Sequence, residues 1–294
     1  MNRNACEPAR RRAAKEASLS TGRVASRSSV PLLLLASWSA CPVTSTAAEV
    51  PELVTDRPDQ TESSVVVPPG FYQLELGWTF TRDDTGGVRT EVHEVPSTLL
   101  RIGLSQAVEL RIGWTGFVDA ETRFADFGAD DHGTGDAEVG IKIHLAAERS
   151  ARPELALLVA TSVPVGDDSF TSDRFDPSVR LAVSHTLSER VGLGYNVGMS
   201  LGSEIGGDGD RDTLSSVFYT AALGFALSDR WSAFAEVFGD FPASAPGDPA
   251  HAFDAGFTCL LRANLQLDLA GGFGLSDAAD DRFVGLGVTL RFPR

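Results

Sequence analysis

The sequence predicts an all-β fold, a closed antiparallel transmembrane β-barrel of about twelve strands. Three observations predict it. The first residues resemble a secretory signal, the rest alternates apolar with polar or Gly residues in runs of about 10–14, and the connections between runs alternate in length. No long segment has the 3.6-residue periodicity of a helix.

The N-terminal segment, residues 1–48, has the composition of a cleaved signal peptide. It carries a net charge of +5, whereas the remainder carries −20. A short apolar run, Val30–Trp38, precedes the small residues Thr44–Ala48, and we expect cleavage after Ala48. The run is shorter than the roughly 20 residues that a membrane-spanning helix needs. The acidic body also argues against a nucleic-acid partner.

Cleavage there removes two of the three cysteines, Cys6 and Cys41. Cys259 then remains alone, so neither an intramolecular disulfide nor a cysteine-based zinc site can form. Lipidation at Cys41 is the alternative processing, which the bulky Trp38 disfavours.

The strand pattern begins at Phe71. Tyr72, Leu74 and the next alternate residues are apolar, while Gln73, Glu75 and their alternates are polar or Gly, as in a strand with two different faces. Strands are expected to begin near residues 71, 92, 107, 135, 153, 176, 190, 213, 230, 251, 264 and 282.

The expected connections are sorted by length. Short turns are expected at Leu104–Ala107, Ala147–Arg152, Leu187–Arg190, Leu227–Arg230 and Arg262–Asn264, and longer polar loops at Asp83–Thr90, Asp119–Thr134, Gly166–Phe175, Ser203–Asp212 and Gly239–Ala250. This parity is typical of an outer-membrane barrel with short periplasmic turns, and a soluble sandwich gives no reason for it. Residues 71–294 are therefore predicted to form a barrel in the outer membrane of a Gram-negative bacterium. Its partners would be outer-membrane lipid and the barrel-assembly machinery.

Several motifs along the body resemble a known family. They are Val54–Ser63, Pro68–Gly70, Gln73–Glu75, Leu99–Leu104, Glu109–Arg111, Gly135–Lys142, Ser162–Gly166, Asn196–Gly198, Asp229–Glu236, Gln266–Asp268 and Phe283–Gly287. In this order they resemble the outer-membrane transporters labelled MetA-pathway of phenol degradation, over roughly residues 53–292. The resemblance implies a channel for passive passage of small organic compounds, aromatic or hydrophobic ones among them. The chain departs from such barrels at its end, where Pro293 and Arg294 follow the aromatic Phe292.

Charged residues on the predicted inner face are the candidate lumen-lining residues. They are Glu75, Arg101, Glu109, Arg111, Glu138, Lys142, Arg180, Glu236, Asp268 and Arg291. They would either tune which solutes the pore accepts or form cross-strand ion pairs that brace a narrow barrel. The structural reading is favoured, and both can hold for the same residues.

Residues 49–70 form an irregular segment before the first strand. It contains prolines and charges of both signs, so it is either a polar periplasmic tail or a plug in the lumen. The family resemblance favours the lumen. The candidate plug residues are Asp56, Arg57, Asp59 and Glu62.

Catalytic and cofactor motifs are not found in the sequence. His93, His132, His144, His185 and His251 are scattered, and no Gly-x-Ser-x-Gly elbow accompanies them, so an enzyme is not expected. A membrane-embedded hydrolase is the disfavoured alternative, and a structural or adhesive barrel with a filled lumen is another.

Two acidic clusters raise a calcium hypothesis. They are Asp126/Asp130/Asp131/Asp136 and Asp208/Asp210/Asp212. Neither has the spacing of an EF-hand loop, so solvated loop acids are the favoured interpretation and no metal or cofactor is expected.

Overall fold

The computed structural model describes residues 51–294, apart from residues 126, 206–210 and 245–246 and the side chains of residues 204–205 and 211–212. The expected signal peptide, residues 1–48, lies outside this part of the chain. Within it, no helix is long and apolar enough to cross a membrane.

The described residues form antiparallel strands. They are β1 Phe71–Thr85, β2 Val88–Gly103, β3 Val108–Trp114, β4 Phe117–Phe124, β5 Phe127–Thr134, β6 Ala137–Ala146, β7 Glu154–Val163, β8 Pro177–Ser188, β9 Val191–Ile205, β10 Arg211–Ala226, β11 Trp231–Pro242, β12 Ala250–Arg262, β13 Leu265–Gly274 and β14 Arg282–Pro293. Apart from β4 and β5, which the sequence did not predict, each begins within four residues of its expected start.

The sheet closes on itself because β1 pairs with both β14 and β2. β3 and β4 are two halves of one bent strand, and β5 and β6 are two halves of the next. The pairing continues across the bend, where Thr115 N donates to Asp136 O at 3.2 Å and Gly135 N donates to Gly116 O at 3.0 Å. When each bent pair is counted as one strand, the fourteen strands form a closed barrel of twelve, which confirms the predicted fold.

Gly116 is needed at this bend. Its φ is +95°, a left-handed conformation that side chains rarely adopt. A Cβ there would also collide with the carbonyl oxygen of Pro96 on β2. The bend lets β2 pair with β3 along one half of its length and with β4 along the other.

Two of the expected long loops were wrong. The first, Asp83–Thr90, is a two-residue turn in which Gly86 and Gly87 have φ of +63° and +81°, between strands that continue to it. The second, Asp119–Thr134, is mostly β4 and β5. Most side chains of β5 are exposed on both faces, so the ladder of hydrogen bonds persists while the apolar alternation stops. A pattern of apolar residues cannot detect such strands.

The barrel is polar inside and apolar outside, as predicted. The inward side chains of Gln73 and Arg101 are 0% exposed, whereas the outward Ile112 and Val197 are 42% and 49% exposed. This inversion suits a surface surrounded by lipid. Short turns lie at the end that carries Phe71 and Pro293, which we call the turn end, and the longer connections lie at the opposite loop end.

Candidate functional site: the barrel lumen

The segment Pro51–Gly70 runs through the barrel interior. It begins beside β14, where Arg291 Nη1 donates to Pro51 O at 3.2 Å and to Glu52 O at 2.7 Å. It ends where Val67 N donates to Glu109 Oε2 at 2.7 Å. Both contacts lie near the turn end, so the segment rises into the lumen and returns.

Asp56 anchors the rising limb of the segment. Its buried Oδ2 lies 2.7 Å from Lys142 Nζ, 2.5 Å from Arg111 Nη1 and 3.0 Å from Arg101 Nη1. Its N–H donates to Glu75 Oε2 at 3.2 Å. Burial opposes ionisation, but the three cations outweigh it and hold the pKa of Asp56 well below its ordinary value. The carboxylate of Asp56 therefore joins three strands of the wall, β2, β3 and β6, and its backbone N–H joins a fourth, β1.

The same side of the lumen contains further ion pairs. Arg101 makes a bidentate contact with Glu109, Nε to Oε1 at 2.9 Å and Nη2 to Oε2 at 3.0 Å. Arg111 Nη2 lies 2.8 and 2.9 Å from the two carboxylate oxygens of Glu62, which fastens the returning limb. We call this set, with Asp56 and Lys142, the charged network.

The opposite side of the lumen holds the far turn of the segment, Asp59–Thr61, which we call the apex. Glu236 Oε2 accepts the N–H of Gln60 at 2.7 Å, and its Oε1 accepts the hydroxyl of Thr61 at 2.5 Å. The hydroxyls of Thr61 and Thr220 are 2.6 Å apart. The apex is therefore fastened through backbone and hydroxyl groups to β10 and β11.

Asp254 faces Glu236 directly across β11 and β12. It is 0% exposed, and neither of its carboxylate oxygens has a hydrogen-bond partner among the described residues. On the next strand, Asp268 pairs with Arg57 Nη2 at 3.2 Å. Glu236 and Asp254 therefore face each other beside the apex, and neither of them contacts a cation within the described part.

Nine of the ten predicted lumen residues fall into two groups according to the part of the segment that they surround. The structure brings Glu75, Arg101, Glu109, Arg111 and Lys142 together around Asp56 and Glu62, and it places Glu236, Asp268, Arg291 and Arg180 against other parts of the segment. Glu138 makes no hydrogen bond in the described part and borders a cavity beside Glu94 and Thr98.

Asp254, Asn196 and Gln73 are also inward and buried, but they are not among the predicted lumen-lining residues. Asn196 Nδ2 donates to Glu62 O at 3.0 Å, and Gln73 Nε2 donates to Val54 O at 2.9 Å. The prediction covers charged residues only, and the two amides carry no charge. Asp254 shares the inner face of its strand with the buried Ala252, a parity that would have identified it.

Two cavities flank the apex. One, of about 470 Å³, lies towards the loop end and is bordered by Gln60, Phe218, Phe238 and Phe283. The other, of about 460 Å³, lies towards the turn end and is bordered by Pro58 and Asp59 of the segment, by the turn that follows β8 and by the last residues of β10, Gly224–Ala226. We call them the loop-end cavity and the turn-end cavity.

The acids of the calcium hypothesis have other contacts where they are described. Asp136 Oδ1 accepts the N–H groups of Val165 and Gly166 at 3.1 and 3.0 Å, and Asp130 pairs with Arg123 at 2.9 Å. Asp126, Asp208, Asp210 and the side chain of Asp212 lie outside the described part. Within that part, no group of three His, Cys, Asp or Glu residues is arranged to hold a metal ion.

A closed barrel with an apolar outer surface and a polar lumen defines the class: this is an outer-membrane β-barrel, similar in fold to the porins and channels of Gram-negative bacteria. The family profile described as "Putative MetA-pathway of phenol degradation" matches residues 55–292, and the chain belongs to that family. Among curated proteins, no sequence matches.

Solved structures match this chain at low sequence identity, and the first of them has the same fold. The COG4313 outer membrane channel from Pseudomonas putida F1 matches with a TM-score of 0.60 and 14% identity, over 81% of this chain and 100% of that one. The NanC porin matches with a TM-score of 0.49 and 6% identity, over 74% and 98% of the two chains. The translocator domain of the autotransporter NalP from Neisseria meningitidis matches with a TM-score of 0.49 and 9% identity, over 77% and 90%.

Proposed function

We propose that the protein is a channel through which small organic compounds, aromatic or hydrophobic ones among them, cross the outer membrane by passive passage. The turn end faces the periplasm, and Pro51–Gly70 acts as the plug. The observation that carries the proposal is the pair of cavities of about 470 and 460 Å³ separated by the apex of the segment.

Inward aromatic rings support a preference for apolar solutes. Phe218, Phe238 and Phe283 border the loop-end cavity, and the rings of Phe238 and Phe283 meet at 62° with centroids 6.0 Å apart. A Cβ at Gly198 or Gly272 would collide with the rings of Phe218 and Phe283. Glycines therefore make room for apolar rings in an otherwise polar lumen. Aromatic rings offer a favourable stacking surface to another aromatic molecule.

In this proposal some charged residues of the wall hold the plug in place and others face the space through which solutes pass. Those of the charged network are engaged with the segment, so they would brace it. Glu138 borders a separate cavity beside β2 and β3, and Arg180 lies at the border of the loop-end cavity, where it would act on passing solutes. The apolar outer face would contact outer-membrane lipid, after insertion by the barrel-assembly machinery.

A structural or adhesive barrel is the second candidate, because the charged network fills part of the lumen with a stable set of ion pairs. Conductance of the purified full-length protein in planar bilayers separates the two functions. We expect discrete channels that become larger when Val54–Ser63 is deleted. Phenol uptake is measured throughout as the excess over protein-free vesicles, because phenol also crosses lipid, and this protein-dependent uptake should exceed that of a sugar.

The folded state of both proteins is checked by heat-modifiable migration on gels. A barrel that migrates as folded but conducts neither with nor without the segment would contradict the channel and support the structural barrel. Equal conductance of the two proteins would contradict the plug alone.

A further inference from the structure

We propose that solutes cross the lumen on the side of β9–β12, and that the apex Asp59–Thr61 is the gate, which opens while Asp56 and Glu62 stay docked. The inference rests on the proposed channel function and deepens it. It assigns the moving part of the plug to three residues rather than to the whole segment.

The first argument is the unequal fastening of the segment. Asp56 is held by three cations, and Glu62 by a bidentate contact with Arg111. The apex makes one contact to a cation, from Arg180 Nη1 to Gln60 O at 3.1 Å. The bonds of Asp56 and Glu62 join two opposite charges, whereas each bond of the apex has a neutral group as one of its two partners, so no ion pair holds it. The apex is therefore the part of the segment that separates first.

The carboxylate that holds the apex is itself in an unfavourable position. Glu236 faces Asp254 in the register of β11 and β12, and the oxygens of Asp254 have no hydrogen-bond partner in the described part. Two buried carboxyl groups directly opposite one another cannot both ionise without repelling, so one of them must hold a proton or move away. A shift of Glu236 away from Asp254 would separate the two groups and loosen Gln60 and Thr61 together.

The third argument is the space around the apex. Gln60 borders the loop-end cavity, while Pro58 and Asp59 border the turn-end cavity. On β10, a Cβ built at Gly224 would meet no atom within 4 Å, so the lumen beside Gly224 is empty. On the other side of the lumen, a Cβ at Gly77 would collide with the guanidinium of Arg57. Displacement of the apex alone would therefore join the two cavities along β9–β12.

Two engineered disulfides distinguish movement of the apex from movement of the whole segment. Thr61→Cys with Thr220→Cys links the apex to β10, where the hydroxyls are 2.6 Å apart. Ser64→Cys with Ser184→Cys links the returning limb to β8, where the hydroxyls are 2.8 Å apart. Both are made in a Cys259→Ser background, and disulfide formation is checked by gel mobility. Phenol uptake by vesicles and single-channel conductance are then measured before and after reduction.

We expect the oxidised apex pair to lose phenol uptake and to regain it on reduction, while the oxidised limb pair keeps the uptake of its reduced form. Loss of uptake in both oxidised pairs would show that the whole segment must leave, and would overturn the proposal. Unchanged uptake with a locked apex would also overturn it, because solute would then pass elsewhere. If neither the reduced pairs nor the unmodified protein take up phenol or conduct ions, the channel function itself fails.

A second pair of variants tests the route without a disulfide. Gly224→Leu adds bulk to the turn-end cavity, and we expect reduced phenol uptake. Gly202→Leu is the control, because a Cβ there also meets no atom within 4 Å and the residue borders neither of the two cavities that flank the apex. Equal uptake by the two variants would contradict a path through the turn-end cavity.

Discussion

The two sides of the lumen hold the segment Pro51–Gly70 through different kinds of contact. Around Asp56, on the side of β1–β3 and β6, each buried acid meets a cation, and the segment supplies the charge that completes the balance. Around Glu236, on the side of β10–β12, acids face each other and the segment supplies mainly N–H and hydroxyl donors. Buried charge is tolerated when it is paired and is costly when it is not. The first side therefore fixes the segment, and the second holds it less firmly.

The largest expected effect comes from breaking the fixed side. Asp56→Asn leaves Arg101, Arg111 and Lys142 without their shared carboxylate, and removal of one partner from a buried pair costs about 3–5 kcal/mol. We expect the segment to leave the lumen, the conductance to rise and the pore to favour anions. Planar-bilayer recordings and digestion of the segment by an added protease measure these changes.

Glu62→Gln is the matched control for Asp56→Asn. Glu62 belongs to the same network but is only half-buried and pairs closely with one cation. Its replacement should change conductance and protease sensitivity less than that of Asp56. If the two variants behave alike, Asp56 is not the anchor.

A smaller effect of the opposite sign is expected on the second side. Asp254→Asn removes an unpartnered buried carboxylate and adds an NH₂ group that can donate to Glu236. An unsatisfied buried polar group costs about 1–3 kcal/mol, so the variant should be more stable than the natural protein. The measurement is the temperature at which the folded gel band disappears.

Asp268→Asn tests whether the loss of a buried acid lowers stability when that acid is paired with a cation. Asp268 is also a buried inward acid, but it pairs with Arg57 at 3.2 Å. Its replacement should lower the same transition temperature. A rise in both variants would mean that repulsion among all the acids, rather than the lack of a partner, determines stability on this side.

The alternation of residue types was sufficient to predict the barrel and the direction of the side chains. Glu109 and Arg111, two residues apart, were expected on the inner face, and both are buried there. The partners of these side chains could not be predicted, because they depend on non-local register and on the course of an irregular segment. Asp56 meets Lys142 across 86 positions of the chain, and nothing in either local sequence specifies that contact.

The strands β4 and β5 at the loop end could not be predicted from the alternation of apolar residues, and the reason is a different one. Asp130 and His132 lie in β5, where pairing with β4 continues but most side chains on both faces are exposed. The backbone ladder alone defines the strand there. The prediction was therefore reliable where one face of a strand is apolar and failed where neither face is.

The pH dependence of the gate follows from Asp59. Its position inside the barrel raises its pKa well above the ordinary 3.8, and repulsion from Glu236, Asp254 and Asp56 raises it further. The docked carboxyl binds its proton more tightly than a released one, so docking is most favoured below pH 3.8 and weakens as the pH rises through the raised pKa. The pKa of Asp56 has the opposite shift, so its contribution is complete above pH 3.8 and is lost progressively as the pH falls below that value.

Conductance should therefore increase with pH across the window above 3.8, and Asp59→Asn should flatten that increase. Recordings of both proteins over the same pH series provide the comparison. A profile that Asp59→Asn leaves unchanged would assign the titration to another group. Conductance that falls with rising pH would reverse the sign derived for the apex.

The smallest expected effect concerns Arg180, which contacts both the apex and an aromatic ring. Its guanidinium carbon lies 4.8 Å from the centroid of Phe218, and its Nη1 donates to Gln60 O. A cation over a ring contributes about 0.5–1 kcal/mol when it is exposed to water. Arg180→Met keeps the apolar stem but loses the charge, so the apex should open slightly more often. Arg180→Lys retains a positive charge but not the planar guanidinium, and it should lie between Met and the natural protein. Single-channel open times rank the three proteins, and an order with Lys outside the other two would show that charge at this position does not hold the apex.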